Sequence, residues 1–267
     1  MRYRIRFAKY GVMRYVGHLD LMRFFQKALN RAKVPLSYSK GYHPHPLISF
    51  AAPLSVGVTS GGEYMDIVTE EPIDAKNTLD ALNAQMVDGM LIVSVKELSD
   101  KAKNAMAAVE AAAYYVYFKE YPFVRNDISG NMSILSEDGS SPAELKKYDT
   151  DAFREQIRTF YTNADSIYIT KQTKKSERKI DLKPLIYDFH VEDTTSSFSE
   201  NAEQTGLPDI NVVFYMLLST GSTDNIKPEL VMEHFLSSMG ITPDAYQLGI
   251  HRVDMYRRDE KNELVSL

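Results

Sequence analysis

The chain opens on strict alternation. In "YRIRFAKY", Tyr3, Ile5 and Phe7 fall on one side and Arg2, Arg4 and Arg6 on the other. That period of two predicts a strand with one apolar and one solvent face. "HLDLMRFFQKALNRAKV" then switches to helical spacing. Leu21, Phe25, Ala28 and Ala32 form its buried stripe, widened by Met22 and Leu29. Arg23, Lys27 and Arg31 recur every four residues and so stack along another face. Asp20 sits in the first turn, where an acid suits the helix dipole, and Pro35 stops the helix. "PLISFAAPLSVGV" reads as extended and broken at Pro53. "GGEYMDIVTEE" reads as a strand, "DAKNTLDALNAQM" as a helix and "MLIVSVKEL" as a strand. The order β-α-β-β-α-β is the ferredoxin-like pattern, with two helices over one face of an antiparallel sheet.

The second half repeats that order by pattern, without a detectable sequence repeat. "SDKAKNAMAAVEAAA" is Ala-rich and reads as a linker. "YYVYFKEY" starts a new strand series, and its tyrosines read as sheet core. "SGNMSILSEDGSSPAE" and "DTTSSFSENAEQTGLPD" are polar loops. "DTDAFREQIRTFYTN" is a helix with Phe153, Ile157 and Phe160 on one side. "DSIYITKQTKKSERKIDLKPLIYDFHVED" is a β-hairpin with a basic tip. "INVVFYMLL" is a strand, "IKPELVMEHFLSSMG" a helix with Pro228 near its start, and "YQLGIHRVDMYRRDE" a final strand. The expected fold is α+β, built from two tandem ferredoxin-like modules with antiparallel sheets. A basic N-terminal domain spans 1–100, a linker 101–112, and a second domain with inserted loops 113–267.

Charge changes this picture. The net charge is −5, yet residues 1–46 hold ten Lys/Arg against one acid, Asp20. Such segregation points to a face that meets a polyanion or an acidic partner. The chain has no cysteine, which excludes disulfides, thiolate catalysis and a cysteine-held iron–sulfur cluster. No apolar run is long enough for a membrane span, and the basic start has no apolar segment of a signal peptide. The expectation is a cytoplasmic protein that does not contact membranes.

Several stretches together resemble the DUF2344 family, the radical SAM-associated domain, in its standalone form. They are "RIRFAKYGVMRYVGHLDLMR", "YSKGYHPHPLISFAAPLSVGV" with "EYMDI" after it, "KIDLKPLI", and "IKPELVMEHF" followed by "HRVDMY". The resemblance spans most of the chain. It implies company with a radical SAM enzyme and, in some genomes, with ribosome and RNA-processing genes. The family's usual Ser before "HLDL" is Gly17 here, which weakens the expected cap.

"SKGYHPHPLISF" concentrates the candidate chemistry. In an extended strand His43 and His45 point to one side, but a metal needs a third ligand, from among His18, Asp20, Glu63 or Asp66. No metal or cofactor is expected. His43 or His45 with Tyr42 and Lys40 has the parts of a metal-independent RNase, by analogy with CRISPR repeat-processing enzymes. Lys40, Tyr42, His43 and His45 also mix charge and planar rings in the way RNA contacts do. Pro44 and Pro46 make a stiff structural loop a competing reading. The expected nucleic-acid footprint adds Arg2, Arg4, Arg6, Arg23, Lys27 and Arg31, with Lys174, Lys175 and Arg178 in the basic hairpin. "STGSTDN" reads as a capping loop rather than a phosphate cradle. The leading expectation is a non-catalytic RNA-binding or substrate-presenting accessory protein for tRNA or rRNA, beside a radical SAM or RNA-modification system. The alternatives are the RNase and a protein-only adaptor that docks an acidic partner.

Overall fold

The computed structural model describes residues 1–119, 123–125, 132–134, 147–148, 150–172, 177–192, 212–221, 225–241 and 248–267. They fall into two compact units. The first includes Met1–Ala112 and His251–Leu267, the second Ala113–Glu203 and Leu207–Ile250. The fold is mixed α+β with mostly antiparallel pairing.

In the first unit the elements run β1 (Arg2–Lys9), α1 (His18–Arg31), β2 (Ile48–Phe50), β3 (Thr59–Val68), α2 (Ala75–Asn83) and β4 (Met90–Glu97). β1 pairs antiparallel with β3 on one side and β4 on the other, and β2 pairs antiparallel with β3. Alternation puts Tyr3, Ile5 and Phe7 on the helix side. There they join Met65 and Ile67 of β3, Leu21, Phe25 and Leu29 of α1, and Leu82 of α2 in one apolar cluster. Phe7, Phe25 and Phe50 meet with ring centroids 4.7 to 6.1 Å apart. The Asp74 carboxylate caps α2 through the Asn77 N–H. Gly17 caps α1 with no side-chain bond.

The opposite side of β1 corrects the solvent face read from alternation. Arg4 is only 6% exposed, and residues 98–108 lie across this side. The Arg2 guanidinium donates to the carbonyls of Ser99, Asp100 and Ala102, and Arg4 donates to that of Lys103. A short helix, α3 (Ala105–Ala108), follows, with Ala105 and Ala108 buried. Residues 101–112 cluster with the first unit, with Ala105, Ala108 and Val109 buried. Alanines too small to mark a core face by their bulk are what let the segment lie close to the strand.

The second unit contains most of β5 (Ala111–Phe118), whose Tyr114, Val116, Tyr117 and Phe118 are buried, as expected for sheet core. Three short strands, β6 (Phe123–Arg125), β7 (Met132–Ile134) and β8 (Lys147–Tyr148), form a small antiparallel sheet. α4 (Thr150–Ile157) comes next, then the hairpin of β9 (Tyr168–Gln172) and β10 (Glu177–Asp181). β11 (Ile186–Glu192) pairs antiparallel with β12 (Val213–Ser219), and β5 lies beyond β12. α5 (Pro228–Ser238) starts with proline at its first position, where the missing N–H costs nothing. Phe153, Phe189, Phe214 and Phe235 interlock edge to face, with centroids as close as 5.2 Å.

The last long strand, β13 (Leu248–Arg258), begins in the second unit, and from His251 onward it belongs to the first. Sequence order alone had placed all of it with the second half. Its His251–Arg252 run pairs in parallel with Thr59–Ser60, an exception to the antiparallel rule. β14 (Leu264–Ser266) folds back antiparallel on it.

Candidate functional site

The "SKGYHPHP" segment forms a closed loop. Ser39 N–H donates to the His45 carbonyl at 2.9 Å, and His45 N–H donates to the Ser39 hydroxyl at 3.1 Å. That hydroxyl also meets His45 Nδ1 at 2.8 Å. Leu47 N–H bonds the Ser37 carbonyl one step lower, so the neck is a short ladder. Gly41 turns the tip at φ 129°, a conformation that side chains disfavour. Lys40, Tyr42 and His43 stand exposed on this tip, and Tyr42 is 101% exposed. His43 and His45 lie in this loop and not in a strand, which starts at Ile48. His45 meets Ser39 at the neck and is itself exposed, as are Lys40, Tyr42 and His43.

The proposed third metal ligands are engaged elsewhere. His18 packs edge-on against Phe50, Asp20 pairs with exposed Arg23 at 3.1 Å, Glu63 takes Arg252, and Asp66 takes Arg4. Among the described residues no group of three or more His, Asp or Glu is placed to hold a metal. On α1, Arg23, Lys27 and Arg31 lie on the exposed side as their spacing predicts, with Arg31 bonded to Gln85. Arg2, Arg4 and Arg6 are instead held by carbonyls and carboxylates. Lys174, Lys175 and the Arg178 side chain lie outside the described residues.

Sequence reasoning did not find a buried ionic layer in the first unit. Arg4 meets Asp66 through two bonds of 2.8 and 3.0 Å, and Asp66 also accepts the Ala105 N–H at 2.7 Å. Asp254 accepts the Tyr64 hydroxyl and the Ser266 hydroxyl, each at 2.6 Å, with Arg6 at 3.3 Å. Burial and that hydrogen bond to the carboxylate hold the Tyr64 phenol well above its usual pKa. Arg252 forks onto Glu63 at 2.8 and 3.0 Å, with both side chains under 5% exposed. Lys9 is 1% exposed and donates to the Val16 carbonyl at 2.8 Å. Burial lowers its pKa, and the Glu63 charge partly opposes that. His251 binds the Thr59 hydroxyl through Nδ1 at 2.9 Å, and burial pushes its pKa down to about 4. The available signal was the acids set inside "GGEYMDIV" and "HRVDMY", which mirror the arginines of "YRIRF". Arg4, Arg6 and Arg252 are each paired with a carboxylate across strands, while Arg6 Nε is buried without a hydrogen-bond partner.

The fold and this layer define an α+β protein whose N-terminal unit is locked by buried Arg–carboxylate pairs. The chain belongs to the DUF2344 family, described as an uncharacterised protein conserved in bacteria, whose sequence model matches residues 2–228. Some of the stretches that carried the resemblance, those with "RIRF", "EYMDI" and "HRVDMY", also supply the ionic layer. No curated protein matches the chain. Among solved structures, one titled as a Cbf5-Nop10-Gar1 complex aligns with 96% of this chain at 10% identity and a TM-score of 0.44. This chain spans about half, 50%, of that one's length. An unknown protein from Galdieria sulphuraria aligns at 10% identity over 94% of this chain and 96% of its own, with a TM-score of 0.23. Both likenesses are too loose to carry a shared function. Among the described residues no helix is long and apolar enough to cross a membrane.

Proposed function

We propose that the protein is a non-catalytic RNA-binding accessory protein that presents a structured RNA to a partner enzyme in the cytoplasm. The observation that carries this reading is Tyr42, a wholly exposed ring on a loop braced at its neck, with Lys40 and His43 beside it. An exposed ring on a pinned loop loses little entropy when a base stacks on it, and the flanking cation meets phosphate. The exposed Arg23, Lys27 and Arg31 of α1 supply further charge for a tRNA or rRNA. The architecture supporting this role is a pair of ferredoxin-like modules. The strand order β4-β1-β3-β2 in the first unit and the succession β11-β12-β5 in the second favour it. A radical SAM enzyme is the proposed partner. The chain has no cysteine, so the partner would supply the cluster.

The test is a titration of fluorescently labelled tRNA and rRNA fragments with the full chain, read by anisotropy. Tyr42→Ala is expected to weaken binding about ten-fold, the size of one lost base stack. Equal affinity in wild type and Tyr42→Ala would remove the loop from the interface. RNA cleaved during the titration, in a manner resistant to EDTA and lost in His43→Ala, would replace this reading with the RNase.

A further inference from the structure

On the arginine side of the first unit's sheet there is a cleft of about 670 Å³, lined by residues 96–103 and by the β13–β14 hairpin among others. That volume is within the range of small-ligand sites. Both walls are pinned by hydrogen bonds. Arg2 holds the carbonyls of Ser99, Asp100 and Ala102, Arg4 holds that of Lys103, and Arg4 is itself paired with Asp66. Across the cleft, Asp259 caps the hairpin turn through the Lys261 and Glu263 N–H groups, and Arg258 ties to Glu110 at 3.2 Å and to the Asn262 carbonyl. With those pairs set aside, Lys96, Lys101, Lys103 and Arg257 line the cleft exposed and without an ion pair among the described residues. Two acids, Glu97 and Glu260, also line it exposed. Asp259 adds a third acidic charge, since it accepts only backbone N–H groups, so the cations exceed the acids by one, and a concave site with fixed walls concentrates that field. No aromatic ring lines the cleft, so nothing there selects a base.

We propose that this cleft binds a phosphate-bearing ligand through Lys101, Lys103, Lys96 and Arg257, reading phosphate groups and not bases. The arginines of the first strand act as the scaffold of that wall. The lysines the wall carries make the contacts. Phosphate oxygens suit these donors because each N–H bond to them is charge-assisted. The source is either a free polyphosphate or the backbone of an RNA strand.

The test is calorimetric titration of the full chain with tripolyphosphate at low salt. This probe has no base to stack, but the exposed cations of α1 and of the Tyr42 loop also attract it, so the cleft is read from the difference between wild type and the cleft variant. Binding is expected, weakening with salt and at least about ten-fold in Lys101→Gln/Lys103→Gln, a double change on exposed side chains. Lys76→Gln, an exposed charge on α2 outside the cleft, is expected to leave the affinity unchanged. No binding by wild type, equal binding by the double variant, or an equal loss in Lys76→Gln would overturn the proposal. Displacement of a short labelled RNA by tripolyphosphate supports the cleft with a strand backbone as ligand. Tripolyphosphate binding without displacement supports it with a free phosphate ligand.

Discussion

Glu63 is a buried anion that forks with the buried Arg252 and whose charge also acts on the buried Lys9. Next to Arg252 in the chain, His251 is neutral in the folded protein because burial holds its pKa at about 4 against an ordinary 6.5. The unfolded chain takes up that proton first. The His251 contribution to stability is therefore complete above pH 6.5, declines as pH falls toward 4, and is gone below it. The loss amounts to about 3 kcal/mol at most. Urea unfolding across pH 7 to 4 checks this. His251→Gln is expected to show lower stability at pH 7 and a shallower decline than wild type, and parallel profiles would count against it. Little of this was legible from the residues alone. Alternation reports which side chains share a face, but not what covers that face. The carboxylates that answer Arg4 and Arg6 come from Asp66 and Asp254, far along the chain. His43 and His45 drew attention by their spacing, while the buried His251 sat unremarked in the strand "GIHRVDMY".

Elements were easier to read than their partners. Long periodic segments announced β1, α1, β3, α2 and β4, because each buries one face and the period follows from that need. The α1 stripe is buried nearly as predicted, with Leu29 fully inside and Ala32 at the edge. What sequence order concealed is that β13 returns to the first unit and passes close to β3. Gly61 and Gly62 permit that approach. A Cβ on Gly62 would stand 2.5 Å from Asp254 Oδ1 and 2.7 Å from the Asp254 Cα and the Val253 carbonyl. Strand backbone cannot yield there without breaking the pairing. A Cβ on Gly61 would stand 3.5 Å from His251, ordinary contact. Gly62→Ala is therefore expected to destabilise by about 1–3 kcal/mol in denaturant unfolding, whereas Gly61→Ala is tolerated within about 0.5 kcal/mol. Equal costs at the two positions would mean that β13 does not pack against β3 in this way.

At the scale of the whole molecule, the chain carries excess negative charge while its first 46 residues carry ten cations and one acid. A uniformly acidic protein would repel RNA, so binding requires a region where cations are concentrated, such as these first 46 residues. The structure divides that region's cations by task. Arg4 and Lys9 are buried, whereas Arg2 and Arg6 are partly exposed but engaged, Arg2 by backbone carbonyls and Arg6 by Asp254. Lys27 and Lys40 are exposed, and Arg23 and Arg31 are exposed with only weak partners at the surface. Affinity and its salt dependence therefore separate two kinds of contact. Each phosphate contact on a single strand contributes a slope of about −0.7 to the plot of log affinity against log salt, whereas a stacked base contributes none. Neutralising Arg23, Lys27 and Arg31 together with Gln is expected to make that slope shallower by about two, as three lost phosphate contacts require. Tyr42→Ala is expected to lower affinity at every salt concentration and leave the slope as it was. Anisotropy titrations over a salt series measure both quantities in one experiment. An unchanged slope in the α1 variant would remove that helix from the interface, and a slope that shifts with Tyr42 would mean the loop acts through charge rather than stacking.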